Sequence, residues 1–340
     1  MQQKILLVYT GGTIGMVKDS ATGALKAFDF DHLLVQIPQL KSVQAQIDTV
    51  SVPEPKDSAD MNPSDWQFLG NLIYSKFMQY DGFVVLHGTD TMSYTASALS
   101  FMFSNLRKPI IFTGSQLPVG DIRTDALENV LTAIQIALLQ ENGVPSVSEV
   151  GVYFDSQLFR GNRSTKVSSD RFKAFMSPNF PALVTSGVSL KINEPMLLKP
   201  NLNRVTKFSE ALNDKVLLVK IHPGITTKMF EQLCASVDFE VLIMETYGSG
   251  TIFNANWLAL LLKELQKKGK NIINCSQCVS GVVKQGIYQG SEQLKSLGII
   301  SAKDMTTEAA ITKAMYLLGQ NKQRNDFKIE FEANLRGEMH

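Results

Sequence analysis

The chain has 340 residues, 44% hydrophobic and 19% charged, with a formal net charge of +1 and a mean hydropathy near zero. That length exceeds the ~100–200 residues of one ordinary domain, and the composition supports a sizeable buried core rather than disorder. With 33 Lys+Arg against 32 Asp+Glu and no blocks of like charge, nothing marks a nucleic-acid partner or a membrane surface.

In chain order, the first apolar run is Ile5–Tyr9, too short for a secretory signal core, followed by Thr10-Gly11-Gly12-Thr13-Ile14-Gly15. Phe83–Leu86 runs into His87-Gly88-Thr89-Asp90-Thr91, and Ser93–Phe103 then has helical spacing. Ile110–Phe112 leads to Thr113-Gly114-Ser115-Gln116, with a helix predicted over 126–139 and a strand at Val150–Phe154. Continuous apolar strands alternating with helices predict a parallel sheet covered on both faces. After Met176, Pro178, Pro181, Pro195 and Pro200 interrupt any periodicity and read as a connection between domains. The strand–helix alternation resumes with Val216–Ile221, Val241–Met244 and Ile272–Ile273, and with helices over 254–268 and 307–318, the latter opened by Asp304-Met305-Thr306. The longest of these apolar runs is strand-sized, far below the ~20 residues of a membrane span. The expected architecture is α/β, a larger N-terminal parallel-sheet domain of Rossmann/flavodoxin-like kind over 1–190, a linker over 191–212, and a smaller C-terminal α/β domain over 213–340.

Open α/β sheets bind ligands beyond the carboxyl ends of their strands. The residues standing there are Thr13, Thr89, Asp90, Ser115 and Gln116, with Thr246-Tyr247-Gly248 in the second half. The glycines at 11, 12 and 15 miss the G-x-G-x-x-G spacing of a dinucleotide site. The polar stretch after Gly15 suits a mobile lid carrying Thr13 better than a phosphate-binding helix. Thr89 or Asp90 can cap the next helix, but capping needs one such residue and this segment sets two hydroxyls around an acid. His87, at the end of an apolar strand, reads first as a core histidine. Lys166 ends the donor-rich segment Arg160-Gly161-Asn162-Arg163-Ser164-Thr165-Lys166 and is a candidate partner for Asp90; desolvation favours the basic form of such a lysine, and a neighbouring carboxylate opposes it. The three cysteines, Cys234, Cys275 and Cys278, include one C-x-x-C without a second ligand pair, so buried thiols in a reducing compartment are expected rather than zinc or a disulfide.

The segments Thr10–Gly15 and His87–Met92, in this order and spacing, resemble the two signatures of the bacterial-type L-asparaginases. Between them Asp57-Ser58-Ala59-Asp60-Met61 is similar to that family's substrate-carboxylate loop, while Arg160–Lys166 and Asp304–Ala309 are similar to its cytoplasmic, type I branch. The resemblance runs from Ile5 to about Glu338. It implies hydrolysis of L-asparagine to L-aspartate and ammonia, with Thr13 as nucleophile on a lid and Thr89, Asp90 and Lys166 as a second, rigid triad. Asp57, Ser58 and Ala59, with Thr89 and Asp90, would hold the substrate's α-amino and α-carboxyl groups, and backbone amides near Thr89 and Ser115 would serve the oxyanion. It implies a cytoplasmic homodimer or homotetramer needing no cofactor and no metal.

Two positions depart from the family. A lid tyrosine known in the secreted branch has no counterpart, the matching stretch being Gly23-Ala24-Leu25-Lys26. Glu245 stands where regulated type I members carry an arginine for an effector asparagine, with Ser276, Gln277 and Cys278 matching its polar partners. Two rival functions are a subunit of a tRNA-dependent amidotransferase, which calls for tRNA-binding segments and a basic face, and a non-catalytic amino-acid-binding protein, which needs no set of Thr13, Thr89 and Lys166.

Overall fold

A computed structural model describes residues 2–18, 25–27, 37–287, 289–321 and 324–340. The chain divides into two compact units, Met1–Glu210 and Ala211–His340.

The first unit is built on β1 (Lys4–Tyr9), whose last five residues are buried. It pairs in parallel with β2 (Gln46–Ser51) on one side and β3 (Gly82–Leu86) on the other, Leu7 facing both Thr49 and Val84. Between β2 and β3 runs α1 (Pro63–Lys76), opened by an Asn62–Asp65 capping box with Pro63 in the first turn. After β3 come α2 (Met92–Met102), β4 (Ile110–Thr113), α3 (Ala126–Leu138) and β5 (Val150–Phe154). Three antiparallel strands, β6 (Gln157–Arg160), β7 (Val184–Thr185) and β8 (Lys191–Ile192), extend the sheet to the order β8-β7-β6-β5-β4-β3-β1-β2. The five parallel strands thus have the order β2-β1-β3-β4-β5, the flavodoxin arrangement, in which the crevice opens between the carboxyl ends of β1 and β3.

The antiparallel extension was not legible in the apolar runs. β5 turns into β6 through Asp155 and Ser156, both at positive φ, the two-residue hairpin whose twist matches the strands. The proline-punctuated stretch expected as a connection carries β7 and β8, at the sheet edge where prolines are tolerated. Lys207–Phe208 pairs with Phe103–Ser104. The expected linker over 191–212 therefore lies within the first unit as far as Glu210.

The second unit holds a four-stranded parallel sheet in the order β9 (Val216–Lys220), β10 (Val241–Thr246), β11 (Asn271–Ser276), β12 (Ile300–Ser301). Leu242, Met244 and Ile272 pack against Phe230 of α4 (Thr227–Ser236) and Leu258, Leu262 and Leu265 of α5 (Asn256–Lys267). Val241, Ile243, Ile273 and Cys275 pack on the other face against Ala310, Ala314 and Leu317 of α6 (Thr307–Gly319). No described helix is long and apolar enough to cross a membrane.

Candidate active site

Two glycines let the turn after β1 reach the neighbouring strands. Gly11 and Gly12 have φ of +119° and +90°, a region that L side chains rarely adopt. A β-carbon on Gly11 would fall 2.0 Å from the Lys56 carbonyl oxygen, and one on Gly12 would fall 2.4 Å from the Gly88 α-carbon. The backbone carrying Thr13 is thereby seated between the Lys56–Asp57 loop and the end of β3. Thr13 begins a short 3-10 turn, Thr13–Gly15, and is half-buried. A narrow antiparallel pair, Met16–Lys18 with Leu25–Ala27, follows. Residues 19–24, half of the expected Met16–Ala27 lid and including Gly23-Ala24, lie outside the described residues.

The end of β3 is held to its neighbours through main-chain and hydroxyl bonds. The His87 amide donates to Thr113 O at 2.9 Å, and Thr10 Oγ1 donates to Leu86 O at 2.9 Å. His87 is fully buried, its Nδ1 2.7 Å from Gly88 O and its Nε2 2.9 Å from Thr95 Oγ1. Burial pulls its imidazole down from 6.5 to about 4, so it is a neutral core histidine, as its place on an apolar strand suggested.

Beyond His87 the predicted residues come together. Lys166 Nζ donates to Thr89 Oγ1 at 2.7 Å and to Asp90 Oδ1 at 2.6 Å. The lysine side chain is 16% exposed and the aspartate 62%, so the pair faces an opening rather than a sealed core. Ser58 is buried, its Oγ accepts the Asp90 amide at 3.2 Å, and its carbonyl accepts Thr91 Oγ1 at 2.6 Å. Asp57 caps the Ser58–Asp60 turn by accepting the Ala59 amide at 3.0 Å, and both Asp57 and Ala59 are exposed beside Ser58.

Lys166 reaches this point because its loop rides on α2, the helix that starts just after Asp90. Ser97 Oγ donates to Gly161 O at 3.3 Å, Ser93 and Ser164 hydroxyls meet at 3.2 Å, and a β-carbon on Gly161 would sit 3.1 Å from Ala96 O. Small residues on both sides allow this close approach.

The Ser115 side chain is used locally. It is buried and its hydroxyl donates to Leu117 O at 2.5 Å, closing its own turn. The next side chain, Gln116, approaches Thr89 instead, with Oε1 3.5 Å from Thr89 Oγ1. Gln116 stood at a predicted strand end, but alternation alone did not say which of residues 115 and 116 faces the crevice.

In the second unit, Glu245 near the end of β10 accepts the Thr307 hydroxyl at 2.6 Å, in the first turn of α6. Helix N-termini favour negative charge, and the Glu245 carboxylate supplies it there. Gln277 Nε2 donates to Glu245 O at 2.7 Å and to Ile221 O at 2.5 Å, stapling the ends of two strands. Ser276 Oγ donates to Gly248 O at 2.5 Å and accepts the Cys278 amide at 3.0 Å. Cys275 is buried, and its thiol is pushed up to about 12, chiefly by burial. Cys278 is exposed, which corrects the expectation of buried thiols at both ends of the C-x-x-C; the chain leaves the strand at Ser276, so the second cysteine is no longer in the core. Among the described residues no group of three or more His, Cys, Asp or Glu is arranged to hold a metal ion.

Residues 4–197 match the family described as Asparaginase, N-terminal, and residues 215–331 match the Glutaminase/Asparaginase C-terminal domain. L-asparaginase 1 of Escherichia coli strain K12 is 38% identical over 345 residues, covering 100% of this chain and 99% of that protein. The 60 kDa lysophospholipase of Mus musculus is 36% identical over 99% of this chain, which spans 63% of that longer protein. Among solved structures, L-asparaginase I from Vibrio cholerae superposes with a TM-score of 0.89 at 35% identity, with 100% of each chain covered.

Proposed function

Because this chain belongs to the asparaginase family, we propose that it hydrolyses L-asparagine to L-aspartate and ammonia through an acyl intermediate on Thr13. The observation that carries the reading is the position of Lys166 Nζ, bonded at once to Thr89 Oγ1 and Asp90 Oδ1 at the mouth of the β1/β3 crevice.

An amide is a poor electrophile, so its hydrolysis needs an activated hydroxyl, donors for the developing oxyanion and a proton for the leaving nitrogen. Thr13 supplies the hydroxyl, from a turn pressed against Gly88. Its oxygen attacks the side-chain carbonyl carbon while its proton moves to Thr89 Oγ1 and Thr89 passes its own hydrogen to Lys166 Nζ, which takes part in this step as the free amine. The tetrahedral intermediate collapses as that proton returns through Thr89 to the leaving nitrogen, releasing ammonia and leaving an ester on Thr13. Water, activated by the same relay, then splits the ester to L-aspartate. Asp90 has a second part: with one oxygen on Lys166 and a largely exposed side chain, it can accept the substrate's α-ammonium. Ser58, with Asp57 and Ala59 on the same turn, lies where the α-carboxylate would be bound. Ser115 contributes through its backbone, since its hydroxyl is committed to Leu117.

A steady-state ammonia assay with L-asparagine, L-glutamine and D-asparagine tests the reading. L-asparagine is expected to be turned over, and absence of ammonia from it at millimolar concentration would reject the assignment. One methylene is worth only ~1–3 kcal/mol of discrimination, so the ratio for glutamine has to be measured. The reading includes a homodimer or homotetramer, which light scattering of the purified protein would report.

A further inference from the structure

Resting on that reading, we propose that His87 is a positioning residue for the oxyanion: its ring holds the Gly88 carbonyl inward and so turns the Thr89 N–H into the crevice, where the substrate's side-chain carbonyl oxygen gains charge. His87 Nδ1 lies 2.7 Å from Gly88 O. A carbonyl oxygen only accepts, so Nδ1 carries the hydrogen. The fully buried ring is neutral, which leaves Nε2 bare to accept the Thr95 hydroxyl at 2.9 Å. The other acceptor near that hydroxyl, Thr91 O, is more distant at 3.4 Å. One tautomer therefore satisfies every partner, and the Phe112 ring packs edge-on with centroids 5.9 Å apart.

The peptide between Gly88 and Thr89 is trans, so its C=O and N–H point in opposite directions. With Gly88 O turned to the buried ring, the Thr89 N–H points away from it. Among the described residues that N–H has no acceptor, whereas the next amide, that of Asp90, donates to Ser58 Oγ at 3.2 Å. Backbone N–H groups away from water are nearly always paired, so an unpaired one beside Lys166 faces the opening and whatever binds there. Glycine has no side chain to fix its peptide plane, and a β-carbon at Gly88 would fall 2.6 Å from Ser58 Oγ; the imidazole supplies the constraint instead. This role uses the Thr89 amide and leaves the Thr89 hydroxyl hydrogen free to pass to Lys166. A donor aligned before the reaction stabilises the tetrahedral oxyanion without reorganisation.

Filling the core is the competing role for His87, and two variants separate them. His87→Asn sets an amide nitrogen where Nδ1 stood and keeps a donor for Gly88 O; His87→Gln sets its amide where Nε2 stood and loses that donor. Both lose the ring, and both lower the thermal midpoint through lost packing. For the positioning role, His87→Gln lowers kcat for L-asparagine by at least about tenfold, against about 10²–10³ for outright removal of an oxyanion donor. KM and the L-aspartate dissociation constant stay within about threefold. His87→Asn keeps kcat within about threefold of the parent's. A smaller fall in His87→Gln, or an equal fall in His87→Asn, would overturn the proposal. So would loss of L-aspartate binding alongside kcat, because Asp90 and Ser58 would then have moved with the segment. If a variant does not fold, the parent decides: NMR of isotope-labelled histidine nitrogens is expected to show His87 with its hydrogen on Nδ1, and a hydrogen on Nε2 overturns the proposal. An active parent with an unaffected His87→Gln rejects the role of His87 and leaves the asparaginase reading standing; a parent without ammonia release rejects both.

Discussion

Lys166 Nζ donates to Thr89 Oγ1 at 2.7 Å although 77 residues separate them in the chain. Packing sets that distance: the Gly161–Ser164 loop lies on the small-residue face of α2, and α2 begins next to Asp90. Lys166→Met keeps much of the side-chain volume and removes the charge. We expect kcat for L-asparagine to collapse, with some loss of thermal stability, because Asp90 loses its counter-charge; the pair is partly open to water, so the stability effect stays modest. A folded Lys166→Met protein with parental kcat would remove the lysine from the mechanism.

Thr13→Ala and Thr89→Val should each reduce turnover by several orders of magnitude with little effect on unfolding, since neither hydroxyl is part of the hydrophobic core. Thr13 is half-buried in its turn, and the partners of Thr89 are Lys166 and Gln116. Quenched-flow or mass-spectrometric trapping of an acyl adduct in the parent, absent from Thr13→Ala, gives a direct readout. More than about a tenth of parental activity in Thr13→Ala would mean that another group attacks the amide.

His87 predicts an acid limb of stability. Burial holds the folded imidazole at about 4 against 6.5 for the free group. Between these values the unfolded chain binds the proton and the folded chain does not, so stability is fully present above about pH 6.5 and is lost as pH falls towards 4. The full effect is on the order of 3–4 kcal/mol at ~1.4 kcal/mol per pH unit. Thermal midpoints measured from pH 7 down to 4 should fall more steeply in the parent than in His87→Gln. Parallel curves would assign the acid limb to other groups.

Glu245 bears on regulation. Its carboxylate already accepts the Thr307 hydroxyl at the N-terminus of α6. A second carboxylate ~4 Å away would be repelled by ~4 kcal/mol at an effective dielectric of ~20, more than the ~1–3 kcal/mol of a typical allosteric coupling. We therefore expect hyperbolic kinetics with L-asparagine. Initial rates over a wide concentration range test this. A Hill coefficient well above one, abolished by Ser276→Ala or by a change at Cys278, would show that an effector binds despite the glutamate.

What the amino-acid order determined by itself is clearest where a strand is buried on both faces. β1, β3, β5 and β10 each hold a buried apolar run because neither face of an interior parallel strand meets water. The same order put Thr89 and Asp90 just past such a run and Lys166 at the end of a donor-rich segment, while their shared role came from the resemblance to the family. β2, with sequence QIDTVS and only half-buried, and α4, which buries Phe230 alone, left no comparable pattern because an edge strand and a lightly packed helix need little apolar surface. β7 and β8, two residues each, exist only through pairing, β7 with β6 and β8 with β7. Tertiary structure also decided which neighbour faces the crevice. Ser115 turns its hydroxyl into its own loop while Gln116 looks toward Thr89, and Gln277 spends its amide on two strand-end carbonyls rather than on an open site. A side chain's direction at the end of a strand depends on where the chain bends and on which backbone groups lack partners there, and those are properties of the assembled fold.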